Sequence, residues 1–428
     1  MDFNNIFTHF YTCFYPVPLL TRITVSNFNF GSFGLFRCCP PAPLPGEDFD
    51  FGDYNRVYID CCPRAACFAG GNPVNYVMRN NCQYYLGKVT RAFTGYTTDE
   101  SIRQNAASGG LITSLLLYLL KSGKIGGALV SRLKISGGNI SAETYIARTA
   151  AGIKKCQGSV YLYIPILNEL DKIKNSHGKL AVVGLPCQLK ALRQLMDKDK
   201  KLRDKLLLIG LFCGHASKKE LLLKVLEQKG IREKMVEDLR FRKGHWRGSM
   251  QIKLKNGPKI TFPFEHFSTY QNLFFYCERF CLNCTDQTNE FADLSFGDIW
   301  DAKFKNNPIK HSLILTRSKE SQNILEEMAK ESLVYLNSIT LQDVYNFQKR
   351  SLVFHKLIKA RSDLGKFFGF NINCPRGEKA KWNDYPATFM VLFNIKLSES
   401  KMGQQIIFKI PRQIWFLYLV LFKLLTSF

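Results

Sequence analysis

The sequence predicts an α/β fold of mixed α+β character: a largely parallel sheet flanked by helices, with an added β-hairpin and a cysteine-rich cluster loop. Three observations predict it. In KLAVVGLPCQLKALRQLM and LLLIGLFCGHASKKELLLKVLEQKG, continuous apolar runs pass through a short turn into amphipathic helices, as in parallel strands buried on both faces. In FRKGHWRGSMQIKLKNGPKITF, Asn256-Gly257 separates two alternating segments, a hairpin signal. In CERFCLNC, Cys277, Cys281 and Cys284 fall at C-x3-C-x2-C spacing, which lets three thiolates grip one zinc ion or one iron–sulfur cluster.

Residues 1–83 differ from the rest. They hold eight of the 16 prolines and seven of the 14 cysteines, with no helical or strand period. They read as an irregular or disordered leader, or as the product of a mis-called gene start. Cys61, Cys62, Cys67 and Cys82 lack a regular ferredoxin spacing. Order begins near Tyr84, and the chain divides into regions 84–165, 166–345 and 346–428. In the first, Ser108-Gly109-Gly110 opens an apolar helix that stops near Gly123. Such a turn presents backbone N–H groups to a phosphate; an ordinary cap with close glycine packing is the alternative. In the second, Cys187 and Cys213 each fall just past the end of a predicted strand, where ligands of open α/β sheets bind; buried core thiols are the alternative. Arg240, Arg242, Lys243 and Arg247 crowd the start of the hairpin, either as an anion clamp or as an exposed rim. The third region is a helical extension. Its tail, Ile414–Phe422, is too short to span a bilayer comfortably and is expected to pack as a helix, with a membrane-surface helix as the alternative.

The 428 residues are 46% hydrophobic and carry a formal charge of +24. That length accommodates two or three domains. The charge draws anions, but the aromatics do not interleave with basic runs, so no nucleic-acid partner is expected. Met1–Phe10 lacks the pattern of a signal peptide, which makes the cytoplasm the expected location and metal ligation the expected use of clustered cysteines. The oligomeric state is not set by the sequence.

Over residues 87–317, ASGGLITSLL, VVGLPCQLKALR, LFCGHAS, FRKGHWRG, the cysteine run, ADLSFGDIW and SLILTRS follow in one order. In this the chain resembles the beta-subunit family of coenzyme F420 hydrogenase/dehydrogenase, which includes 7-hydroxymethyl chlorophyll a reductase. The resemblance implies an iron–sulfur flavoprotein oxidoreductase. Electrons would pass between a ferredoxin-like donor or other redox subunit, a [4Fe–4S] cluster, FAD, and a hydride-exchanging substrate such as coenzyme F420. It implies Cys277, Cys281 and Cys284 as cluster ligands, with Cys187 as the fourth and Cys213 as its alternative. It brings Ser108, Gly109 and Gly110, and the turn containing Gly184, Pro186 and Gln188, towards the cofactors. Asp293, Gly297 and Asp298 take a structural or flavin-contact role. No catalytic acid is implied; His215 and His245 are candidate proton donors, with an unspecialised histidine as the alternative. The chain departs from the family in three places. The irregular leader stands where many relatives have a dicluster ferredoxin segment, Cys213-Gly214-His215 where Cys-His-Gly is frequent, and Leu185 where Thr is usual. Rival readings are a relay or scaffold subunit without flavin, in a surface-polysaccharide pathway for example, a radical SAM enzyme, and a zinc module with a basic nucleic-acid face.

Overall fold

The structure is a computed structural model that describes residues 82–374 and 379–426. The predicted leader lies outside the described residues, apart from Cys82 and Gln83. The described strands, in chain order, are β1 (Arg91–Thr97), β2 (Gly127–Ser136), β3 (Asn139–Ala147), β4 (Leu180–Gly184), β5 (Leu206–Leu211), β6 (Val236–Lys243), β7 (Ser249–Leu254), β8 (Lys259–Pro263), β9 (Leu294–Asp298), β10 (Ser312–Thr316) and β11 (Val334–Ile339).

Eight of them form one sheet in the order β11-β1-β10-β9-β5-β4-β2-β3. Strands β2, β4, β5 and β9 run parallel to their neighbours in this set. Antiparallel strands extend the sheet on both sides. The apolar composition of β4 and β5 follows from burial on both faces. Ala181 and Ile209 pack with Leu115 and Leu119 of the helix Leu111–Lys121. On the other face, Val182 and Leu208 pack with Leu189 and Leu192 of the helix Pro186–Lys198.

The two chain regions on either side of residue 165 share this sheet. Strand β1 comes from the first and is inserted between β10 and β11 of the second. The predicted hairpin is β7–β8, widened to a three-stranded sheet by β6. Neither Asn256 nor Gly257 has positive φ, so a longer loop replaces the two-residue left-handed turn typical of Asn-Gly. A true two-residue hairpin lies at Gly137-Gly138, with φ of 60° and 80° between paired Ser136 and Asn139. That Gly-Gly pair carried a hairpin signal which the sequence reading passed over.

One edge of the sheet collects the loops that matter. Parallel pairing sets the carboxyl ends of β4, β5 and β9 side by side. Ser312 pairs with both Asp298 and Gly95, so the carboxyl end of β1 and the amino end of β10 join the same edge. After β11 come the helices Leu341–Lys356, Lys359–Phe368, Asp384–Glu399, Lys401–Lys409 and Arg412–Leu425. No single described helix is long and apolar enough to cross a membrane; the last two, bent by 101°, pass by length and composition only as a pair.

Candidate functional site

At the end of β4 the chain turns straight into a helix. Pro186 takes the first helical position, where its missing N–H leaves nothing unsatisfied. The Leu185 N–H donates to Gln188 Oε1 at 2.9 Å, and the Gln188 amide reaches the Ile164 carbonyl. Gln188 is thus a buried cap that fixes the turn. Gly184 serves the same turn: a Cβ there would stand 2.7 Å from Leu189, and its carbonyl accepts from Asn289 Nδ2 at 2.9 Å. Cys187 follows in the first helical turn, where the helix dipole favours a thiolate.

After β5, the Phe212 N–H donates to Phe296 O (2.8 Å) and the Cys213 N–H to Gln287 O (3.0 Å). The next residues run against the cysteine loop. Ser217 bridges Cys277, the Glu278 N–H donates to Ala216 O at 3.0 Å, and the Ala216 N–H donates to Cys281 Sγ at 3.2 Å. Cys281 and Cys284 sit in and just after the 3-10 turn Arg279–Asn283.

The thiols act on one another. Burial pushes the Cys213 thiol well up, reinforced by Cys281, Cys187 and Asp286. Burial does the same to Cys284, reinforced by Cys187 and Asp286. A hydrogen bond with Cys277, then burial, raises Cys281. The structure therefore brings together all five predicted ligand cysteines, both candidates for the fourth position included. Among the described residues no three His, Cys, Asp or Glu side chains converge closely enough for one metal ion. An all-sulfur donor set is what iron–sulfur clusters take.

The surroundings of this loop are rigid and partly strained. Phe274 and Tyr276, just before Cys277, have φ of 63° and 57°, a region that costs bulky residues of the order of 1–3 kcal/mol each. The C-terminal helices hold them: Ser398 Oγ accepts from the Tyr276 N–H at 3.0 Å, and Asn394 Nδ2 donates to Leu273 O at 2.8 Å. His355 is buried between two cysteine loops, with one ring nitrogen 3.1 Å from Cys284 O and the other 2.8 Å from Gly214 O; the neutral ring donates to one of the two carbonyls. Burial and then Arg361 pull its pKa down to about 3. His215 stacks on Phe274 at 4.2 Å, and burial lowers it to about 4. His245 stands apart, its Nε2 2.7 Å from Lys305 O. No motif pointed to His355; its role follows from tertiary packing.

At the same end of the sheet, above β9, β10 and β1, lies a shallow, half-open cleft lined by Ser108, Arg242, Trp246, Asp298, Trp300 and Lys310 among others. Buried Arg242 pairs with Asp298 and lies 5.4 Å from the Trp300 ring centroid. Trp246 meets Trp300 edge-on at 6.1 Å. Lys310 donates to Ala106 O at 2.5 Å; burial, then Arg242, pulls its pKa down to about 8. Cations and indole rings in one concavity suit a flat anionic ligand.

Only some predicted contacts reach this cleft. Ser108 lines it and shares a 3.0 Å hydrogen bond with Ser312 Oγ. Gly109 is required by close packing: a Cβ would stand 2.5 Å from Gly95 O. Gly110, at φ 77°, begins the helix. Gly297 makes room for the Phe212 ring, 2.4 Å from where its Cβ would be. Asp293 stands at the opposite, amino end of β9, clamped by Arg193 (2.7 Å) and the Leu208 N–H (2.7 Å). Of the basic set at the hairpin, Arg242 lines the cleft, whereas Arg240 and Lys243 bond to Gln157 O (2.7 Å) and Asn105 Oδ1 (2.8 Å). Lys310 and Ser312 were missed, although they stand beside or inside the SLILTRS stretch.

The chain is thus an α/β protein whose five thiols and cation-lined cleft gather at one end of its main sheet. Models of the coenzyme F420 hydrogenase/dehydrogenase beta subunit match residues 92–171 (N-terminal) and 177–342 (C-terminal), together more than half of the chain. The protein belongs to this family. It is similar to the coenzyme F420 hydrogenase subunit beta of Methanothermobacter thermautotrophicus, at 26% identity over 295 residues, covering 65% of this chain and 98% of that one. It is similar also to the coenzyme F420-dependent sulfite reductase of Methanocaldococcus jannaschii, at 26% identity over 282 residues, 61% of this chain but 40% of that one. A solved chain of the F420-reducing [NiFe] hydrogenase complex from Methanosarcina barkeri shares the fold, with a TM-score of 0.53 and 22% identity over 68% of this chain and 98% of that chain.

Proposed function

We propose that this protein is an oxidoreductase subunit that carries a [4Fe–4S] cluster on Cys187, Cys277, Cys281 and Cys284, binds FAD at the adjoining cleft, and exchanges electrons with coenzyme F420 or a related hydride carrier. The single observation that supports it most is adjacency. Cys187 lies past β4, the segment after β5 meets the cysteine loop through the Ala216 N–H on Cys281, and the cleft lies past β9, the direct neighbour of β5; neighbouring strands stand about 4.8 Å apart. Phe212, seated on Gly297, lies between the two halves. We take Cys187 rather than Cys213 as the fourth ligand because the first turn of its 13-residue helix stabilises a thiolate. Cys213 lies past a strand end without that help.

A flavin so placed supplies conversion between one-electron and two-electron transfer. The chain's own part is to bind, orient and exclude water. Trp246 and Trp300 offer aromatic faces, Ser108 a hydroxyl, and Arg242 and Lys310 positive charge, while Asp298 holds Arg242 in place. A redox partner subunit or ferredoxin-like donor would deliver electrons at the cysteine side.

Anaerobic purification followed by iron, zinc and flavin assay tests this. Iron at four per chain with one flavin is expected. Zinc without iron overturns the reading; iron without flavin turns it into an electron relay.

Lys310 adds a pH prediction. Its pKa is lowered to about 8, so it is charged below that pH and neutral above. Flavin or F420 affinity is expected to fall as pH rises through about 8. Lys310→Met should bind more weakly by about tenfold, the equivalent of one lost charged contact, and lose that pH dependence. Titration calorimetry across pH checks both.

A further inference from the structure

The helix Arg412–Leu425 presents two apolar faces. Trp415 and Leu419 are buried; Trp415 packs on Phe275 at 4.9 Å and donates to Ile407 O at 2.8 Å. At 3.6 residues per turn, the opposite half carries Ile414, Phe416, Leu417, Val420, Leu421 and Leu424. All six are exposed, Leu417 to 67% and Leu424 to 59%. Gln413 alone is polar on that arc. A helix on a water-facing surface is polar there, and a contiguous apolar patch of this kind marks an interaction site.

We propose that this face lies in the headgroup boundary of an anionic lipid bilayer. Two observations select lipid. Protein interfaces carry about one hydrogen bond per 100–200 Å², and this arc offers one polar side chain. Residues 400–428 contain Lys401, Lys409, Arg412 and Lys423 and no acidic residue, the charge pattern that anionic headgroups attract. The helix Lys401–Lys409, which meets this one at 101°, adds exposed Met402 and Lys409. The proposal does not depend on the redox reading.

Flotation of the full chain with phosphatidylcholine vesicles, with and without phosphatidylglycerol, tests it. The protein is expected to float with the anionic vesicles and to stay down with the neutral ones. The double variant Leu417→Glu/Leu421→Glu should lose apparent affinity by at least about a hundredfold, with unchanged circular dichroism because both side chains are exposed. Three results would overturn the proposal. The wild type stays down with both vesicles, the double variant floats as the wild type does, or light scattering shows a dimer that the double variant abolishes while neither protein floats.

Discussion

Cys187→Ser is expected to lower bound iron by at least about tenfold, the lower range for disturbing a metal site, while Cys213→Ser keeps it. Both thiols stand past neighbouring strand ends and both feel the Cys281–Cys284 segment. The difference lies in the support each receives. Cys187 sits in the first turn of a helix whose cap is closed by Gln188, so its position is fixed and its thiolate favoured. Cys213 is held by its backbone through Gln287. Iron content and visible absorption of the anaerobically purified variants decide it. The reverse result, iron lost from Cys213→Ser and kept in Cys187→Ser, exchanges the two residues without touching the rest of the site. Cys281→Ser should lose iron whichever cysteine completes the set, since Cys281 also fastens the 213–218 segment through the Ala216 N–H.

Arg317→Ala is expected to destabilise the fold by about 3–5 kcal/mol, the range for removing one partner of a buried charged network. Arg317 is buried and donates to Leu86 O (2.9 Å), Lys88 O (2.9 Å), Thr288 O (2.8 Å) and Ser295 Oγ (3.1 Å). It joins the helix Cys82–Leu86 to the segment after the cysteines and to β9. Truncation strands those acceptors in an apolar setting and removes the cation facing Asp286 and Glu290. Arg317→Lys should recover only part of the loss, because an ammonium cannot reproduce the planar fork. Urea denaturation midpoints, compared at constant slope, measure both variants.

The parallel centre of the fold was legible because β4 and β5 are continuous apolar runs, each ending in a turn before an amphipathic helix. The antiparallel strands of the large sheet were not. β1 pairs β10 across 225 positions, as in the contact of Arg91 with Thr316, and such pairing leaves no local trace. The same reason hid half of the site. The cysteines could be found by spacing, whereas Lys310, Ser312 and His355 acquire their places only when the sheet closes. Asp293 shows the converse. It belongs to a recognisable segment, ADLSFGDIW, yet it stands just before a five-residue strand that ends at Asp298, so the two ends of one motif serve opposite ends of the strand.

The insertion of β1 between β10 and β11 also sets a timetable. During synthesis β1 emerges early but cannot take its place between β10 and β11 until the chain has grown through residue 339; at a synthesis rate of about 5–20 residues per second, that delay is of the order of ten seconds or more. Until Ser312 has emerged, the Gly109 N–H lacks the hydroxyl that accepts from it. A chain truncated before β10 would leave the unsatisfied edges of β1 and β9 as substrates for chaperones and proteases rather than a partly active protein.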